Sequence, residues 1–234
     1  MNERTGMDHP GRGRLAHAPA DHPAVAPAKV GILLVNLGTP SGTDYWSMRR
    51  YLAEFLSDRR VIDYAPWRWQ PILQLIVLTK RPFSSGANYR RVWNEALDEG
   101  PLLTTTRSQT DKLRQRLAAK YGARVVVDFC MRYGNPSTDA AIRRLQAQGC
   151  DRILFVALYP QYSGAATATA YDHAFRTLMG MKWQPAIRTA PAYYDHPAYI
   201  AALAQSVTRA YAGLERRPDL LVTSYHGVPQ RYLT

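Results

Sequence analysis

The run Val30-Gly-Ile-Leu-Leu-Val-Asn-Leu37 constrains the fold more than any other stretch of the chain: it is nearly continuous in apolar side chains and stops at Gly38-Thr-Pro40. A strand that is apolar on both sides must be covered on both faces, and a parallel sheet flanked by helices does this. Arg124 to Met131, Ile153 to Leu158, Ala186 to Ala190 and Leu220 to Ser224 read as further strands. Helical spacing fills the intervals. Asp44 to Leu56 places Tyr45, Met48, Tyr51, Leu52 and Phe55 on one face behind an Asp N-cap. Thr104 to Lys120 carries Leu113 and Leu117 on one side, Pro136 to Gln148 ends at Gly149, and Ala165 to Met179 and Pro197 to Leu214 complete the set. Strands alternating with helices call for an α/β fold with right-handed crossovers.

One stretch stands apart. Pro66 to Pro82 is crowded with Trp67, Trp69, Ile72, Leu73, Leu75, Ile76, Val77 and Leu78, and it predicts a short helix of about two turns with Pro71 near its start. A composition shift at Gly180-Met-Lys-Trp-Gln-Pro185 marks a hinge, dividing residues 30–181 from residues 182–234. The second part offers only strand, helix and strand, too little apolar surface to close a doubly wound sheet. The chain is therefore expected to be a fragment of a longer protein. Residues 1–29 are rich in Gly, Pro, Ala, His and Arg without a continuous apolar stretch, so a disordered tail is expected there and not a secretory signal.

Thirty Lys and Arg against 18 Asp and Glu give a net charge of +12. The excess is arginine scattered over many predicted helix faces, with short pairs such as Arg49-Arg50 and Arg143-Arg144 and no longer run. With no helix-turn-helix, RNA-binding or zinc-finger spacing, this reads as a solvated basic surface and not a nucleic-acid groove; a basic face toward anionic lipid or a carboxylate ligand stays open. Cys130 and Cys150 lack the spacing of a metal or redox motif and read as buried small hydrophobes, which fits a reducing, cytoplasmic compartment.

Ligands of such sheets bind beyond the carboxyl ends of the strands. The segments there are Leu37-Gly-Thr-Pro40, Met131-Arg-Tyr-Gly-Asn-Pro136, Tyr159-Pro-Gln-Tyr-Ser-Gly164 and Ser224-Tyr-His-Gly-Val-Pro229. Together they supply an arginine, several tyrosines, a serine and a histidine, a set able to grip a large planar ligand bearing carboxylates. His226 is the sharpest single residue: a histidine so placed is a metal ligand or a general base near neutral pH, or it bonds to a neighbouring loop. His173 and His196 sit in or beside helices and read as structural. Neither GxGxxG nor GxxxxGK[ST] follows the first strand, and no G-x-S-x-G elbow occurs.

These segments, together with Arg50-Tyr-Leu-Ala-Glu-Phe-Leu-Ser-Asp58 and Gly100-Pro-Leu-Leu103, resemble the ferrochelatases of proteobacterial type from about Val30 to the last residue. The resemblance implies two Rossmann-like, chelatase-type domains with parallel sheets, the second incomplete here, and insertion of ferrous iron into protoporphyrin IX to make protohaem in the cleft between them. By position it makes His226 the cleft histidine, taking pyrrole protons or ligating iron. It places Leu37, Arg132 and Tyr133 against the macrocycle, Arg81 and Tyr89 near its rim or propionates, and Tyr162 and Ser163 in the porphyrin-binding set. Leu37, where the coproporphyrin-using branch tends to carry tyrosine, favours protoporphyrin. The aromatic segment from Trp67 to Leu78 looks like a lip that meets the membrane, giving a cytoplasmic protein peripheral at the inner membrane. Gly164 stands where some members carry an iron-sulfur cysteine, so no cluster and no permanently bound cofactor is expected. The glutamate of the opposite wall would fall beyond residue 234, and the fragment is expected to be inactive. Two rival readings are a chelatase for another metal and tetrapyrrole, and a non-catalytic haem-binding or membrane-interaction module.

Overall fold

The computed structural model describes residue 21, residues 28–216 and residues 218–232. The tail expected over residues 1–29 lies almost wholly outside these.

Four strands form one parallel sheet in the order β2-β1-β3-β4: β1 is Lys29–Thr39, β2 Val125–Gly134, β3 Cys150–Ala157 and β4 Ala186–Thr189. β1 is central, with Val35 facing Cys130 on one side and Ala157 on the other. Burial on both faces explains its unbroken apolar run. One face carries α5, Thr138–Ala147, and α6, Thr169–Met179, whose Ile142, Leu145, Ala170 and Ala174 close over Leu33, Val35, Ile153 and Phe155. Cys130 and Cys150 lie buried and free in that layer, as the sequence predicts. α4, Pro101–Tyr121, packs against β1 and β2, with Thr106 receiving a hydrogen bond from Asn36 Nδ2 at 3.1 Å. This α/β arrangement around a parallel sheet is the fold expected from the strand–helix alternation.

α1, Tyr45–Leu56, begins where expected: the Asp44 carboxylate accepts from the Trp46 and Ser47 amides at 2.9 and 3.0 Å. The Pro66–Pro82 stretch departs from expectation. It is not a two-turn helix but the first part of a long helical arm: α2, Pro66–Ile72, a π-helical turn, Leu73–Val77, and α3, Leu78–Arg90. Pro66, not Pro71, occupies the first turn, and Pro71 and Pro82 lie inside the helices. A proline interrupts a helix because it withdraws the amide that the carbonyl four residues earlier would use. Here the Leu78 carbonyl, left over by Pro82, accepts instead from Arg49 Nη1 at 2.8 Å and Tyr45 Oη at 3.1 Å. The arm sits tightly on the loop before α1, for a Cβ at Gly86 would fall 2.4 Å from the Thr43 carbonyl oxygen. Leu73 and Leu78 drive into a second core with Met48, Tyr51, Leu52, Leu56 and Tyr133.

Two further expectations change at the carboxyl end. β4 hydrogen-bonds to β3 and so completes the sheet of residues 30–181, although the sequence places it after the hinge. Leu220 to Ser224 is not a strand: it runs irregularly, with Leu220, Leu221 and Val222 exposed. A strand exists through its ladder, and among the described residues no neighbour pairs with this one. Among the described residues after 181 the regular structure is β4, α7 (Pro197–Ala212) and a 3₁₀ turn at Gln230–Tyr232.

Candidate active site

The topology reverses between β1 and β3, and the loops leaving the carboxyl ends of β1, β2 and β3 meet beside that point. Their closest approach needs a glycine. Gly38 has φ +113°, and a Cβ on it would lie 1.9 Å from the Tyr133 carbonyl oxygen. Contact with β2 at this point therefore excludes any side chain.

Leu37, Tyr89 and Tyr133 come together in the second core beside Tyr51 and Phe55. The Phe55 and Tyr133 rings meet edge to face at 5.0 Å, and Tyr51 and Tyr89 likewise at 6.3 Å. Tyr133 is fully buried and Arg132 is 6% exposed. Arg132 is bonded to protein along the Nε–Nη2 edge of its guanidinium: Nε donates to Thr169 Oγ1 at 2.7 Å, and Nη2 pairs with the Asp58 carboxylate. Its Nη1 has only a long contact, 3.9 Å, with Glu54. The guanidinium also lies 4.2 Å from the Tyr133 ring centre. Asp58 receives further bonds from Tyr133 Oη at 2.9 Å, Thr169 Oγ1 and the Arg60 amide at 2.8 Å. Burial by itself would raise the Asp58 carboxyl, but the bonds from Thr169, the Arg60 amide and Tyr133, with the Arg132 charge, outweigh it and hold the group below its ordinary value. Burial pushes the Tyr133, Tyr51 and Tyr159 phenols up, so all three stay neutral and able to donate.

Two cavities adjoin this network. One of about 680 Å³ is lined by Glu54, Asp58, Arg59, Arg60, Arg132 and Asp172. The other, about 370 Å³, is lined among others by Thr39, Arg50, Glu54, Ser137 and His173. Glu54 borders both, and its Oε2 is fixed by the Gly134 amide at 2.9 Å.

The remaining predicted site residues are not members of this hydrogen-bond network. Arg81 is exposed on α3, Tyr162 is exposed, and Ser163 is half-buried at the head of a π-helical turn, Gly164–Ala168, where its carbonyl accepts from the Ala166 and Ala168 amides. His226 is exposed, with Nδ1 2.7 Å from the Gly227 carbonyl oxygen, and among the described residues no hydrogen bond joins it to Arg132, Tyr133 or Leu37. Residues missed in the sequence are Asp58, Glu54 and Thr169. Asp58 closes the motif that begins at Arg50, and that position is its only signal. Thr169 has none, because its partner Arg132 is 37 residues away in the chain.

The fold and site define an α/β protein with a Rossmann-like sheet and an arginine–tyrosine site beyond its carboxyl edge. The chain matches the ferrochelatase family over residues 29–234. It is 65% identical over 219 residues to the ferrochelatase of Rhodobacter capsulatus, covering 93% of this chain and 62% of that protein. It is 54% identical over 214 residues to the ferrochelatase of Rhizobium etli, with 92% and 62% covered, and 54% identical over 218 residues to that of Agrobacterium fabrum, with 93% and 63% covered. The chain belongs to the ferrochelatase family. It spans about 62% of the length of the first of these curated relatives.

Proposed function

We propose that this chain is part of an enzyme that inserts ferrous iron into protoporphyrin IX, a lyase acting in haem biosynthesis. The observation that carries the reading is the family match over residues 29–234, with the matched loops after β1, β2 and β3 at the carboxyl edge of one sheet. In the reaction two pyrrole N–H protons leave as Fe²⁺ takes the four ring nitrogens. A ring bent out of plane exposes a lone pair to the metal, and an enclosing cleft contributes strain of roughly 1 to 5 kcal/mol.

On this reading Leu37 and Tyr89 belong to the wall beside the macrocycle, while Arg81, exposed on α3, is free to reach a propionate. Arg132, through its Nη1 edge, and Tyr133 face the macrocycle on the same reading, and Tyr162 and Ser163 border it from the third loop. His226 accepts a pyrrole proton or ligates the iron; its exposed ring is open to such a contact. Protoporphyrin IX and Fe²⁺ are the substrates. No permanently bound cofactor is invoked: Gly164, where an iron-sulfur cysteine would stand, brings no thiolate and packs toward Tyr232.

The lip reading extends to the membrane. Trp67, Leu75, Ile76 and Phe83 lie exposed on the helical arm, Trp67 and Leu75 each by more than 70%, with Arg68 stacked 4.6 Å from the Trp67 ring centre. Apolar rings flanked by arginine and lysine suit shallow insertion at an anionic bilayer surface. No described helix is long and apolar enough to cross a membrane. The proposed location is cytoplasmic and peripheral at the inner membrane, with no nucleic-acid partner, and the 234 residues alone are expected to have no chelatase turnover.

Protohaem formation, followed by absorbance with Fe²⁺ and protoporphyrin IX under reducing conditions, tests this on the chain itself and on a version extended to the relatives' length. The extended protein is expected to form haem, and its His226→Ala variant to lose turnover while keeping porphyrin affinity within about tenfold. An inactive extended protein would sink the reading. Insertion of cobalt or nickel but not iron would favour the rival chelatase.

A further inference from the structure

We propose that Asp58 is the positioning residue of this site, fixing the rotation of the Arg132 guanidinium and the Tyr133 phenol so that Arg132 presents only its Nη1 edge to a bound ligand. The inference rests on the porphyrin reading for what that ligand is, a planar tetrapyrrole carboxylate, but not for the positioning itself.

The geometry is a closed ring of bonds drawn from three separate elements. Asp58 lies in the loop after α1, Arg132 and Tyr133 at the end of β2, and Thr169 at the start of α6. Asp58 Oδ2 accepts from Arg132 Nη2, Tyr133 Oη and Thr169 Oγ1, while Oδ1 is tied down by the Arg60 amide. The Thr169 hydroxyl has one proton; it gives that to Asp58 and accepts from Arg132 Nε. Four hydrogens, on Arg132 Nε, Arg132 Nη2, Tyr133 Oη and Thr169 Oγ1, are thereby each assigned an acceptor. A guanidinium held at both Nε and Nη2 cannot turn about its last torsion, and its remaining edge faces Glu54. An asparagine at 58 would keep the volume but remove the charge, and its amide would set two N–H donors among the donors of Arg132, Tyr133 and Thr169. Asp58 and Thr169 act through Arg132 and Tyr133, to which they are bonded.

Nitrogen-15 arginine spectra of the 234-residue chain read the positioning without any ligand. The Arg132 Nε–H, identified by its disappearance in Arg132→Lys, is expected to exchange with water at least about tenfold more slowly than the exposed arginines, because its bond to Thr169 is buried. Asp58→Asn is expected to raise that exchange to the exposed rate with the backbone amide spectrum retained. A folded Asp58→Asn protein with Nε–H still protected overturns the proposal. If Asp58→Asn does not fold, the pair Asp58→Asn with Arg132→Met removes the orphaned buried charge. Recovery of the fold then supports action through Arg132, and failure to recover overturns it.

Protoporphyrin IX binding, followed by tryptophan quenching, supplies the second arm. Asp58→Asn is expected to weaken binding about tenfold in the natural background and less than about twofold beside Arg132→Met, the pattern of coupled residues. Equal losses in both backgrounds overturn the positioning role. A natural chain that binds no protoporphyrin overturns the porphyrin reading instead, and the exchange rates then decide the role of Asp58.

Discussion

Pro82 deprives the Leu78 carbonyl of its helical partner, and the side chains of Arg49 and Tyr45 replace that partner across the boundary between α3 and α1. A helix-breaking residue thus becomes the place where the arm is fastened to the body. Leu78 is wholly buried, so its carbonyl has no access to water. Removing both donors with Tyr45→Phe and Arg49→Met should cost about 1–3 kcal/mol in urea unfolding, the penalty of a buried unpaired acceptor. In a Pro82→Ala background the backbone amide restored at that position can take over, and the cost should fall below about 1 kcal/mol. An equal loss in the two backgrounds would show that the side chains do not substitute for the missing amide.

The arm divides its apolar residues between two roles that periodicity alone leaves merged. Leu73 and Leu78 are in the core, and Trp69 packs against it with Nε1 bonded to the Leu56 carbonyl at 2.7 Å, whereas Trp67, Ile72, Leu75 and Ile76 face outward. Changing these outward four to Ser or Asn should abolish co-sedimentation with vesicles containing phosphatidylglycerol and leave the unfolding midpoint nearly unchanged. Leu73→Ala should do the reverse, at about 2–5 kcal/mol of stability. Vesicle binding that survives the fourfold change contradicts the lip reading.

Acid should reach the site through His173 before it reaches Asp58. Burial, with Arg132 and Arg176 nearby, lowers the His173 imidazole below its ordinary 6.5, and its Nδ1 is buried with no partner among the described residues. Between its folded and unfolded values the unfolded chain binds the extra proton, so this group's contribution is complete above about pH 6.5 and is lost as the pH falls below it. Asp58 is depressed in the folded state, and its contribution is present above the ordinary aspartate value and lost as the pH falls through the folded one. Urea midpoints measured from about pH 8 to about pH 3 should therefore fall in two steps, the first absent in His173→Gln. A His173→Gln profile that parallels the natural one over roughly pH 7 to 5 would remove His173 from that step.

What is legible in the sequence is whatever local pattern controls. The β1 run is unmistakable because both faces are buried, and the Asp44 cap reads directly because the amides it receives are two and three residues on. The site loops can be found because a parallel sheet brings its strand ends to one edge whatever the details. The strand expected at Leu220 does not form because apolar β-branched composition specifies a strand only when a partner supplies the ladder. The arm reads too short in the sequence because a proline reads as a stop, and the compensating Arg49 lies far upstream of Pro82 in a different helix. Asp58 escapes for a related reason: its meaning is its partners, and Arg132 and Thr169 are 74 and 111 residues away.

Hydrogen exchange should map this division onto stability. Amides of β1, β2 and β3 lie in a parallel ladder whose buried side chains pack under α5 and α6, and exchange there requires opening the core. Because β4 pairs with β3, and the Ala190 amide reaches the Phe155 carbonyl at 2.9 Å, protection should persist through residue 190 instead of ending at Lys182. Beyond it α7 has no buried residue, and Ile200, Leu203 and Val207 on that helix are open to water. Its amides, bonded only within one exposed helix, should exchange several orders of magnitude faster than those of β1. Residues 218–229, without ladder or helix, should exchange faster still. Protection in α7 equal to that of β1 would mean that its apolar face is covered in solution, for example by a second copy of the chain, which a concentration series would then reveal.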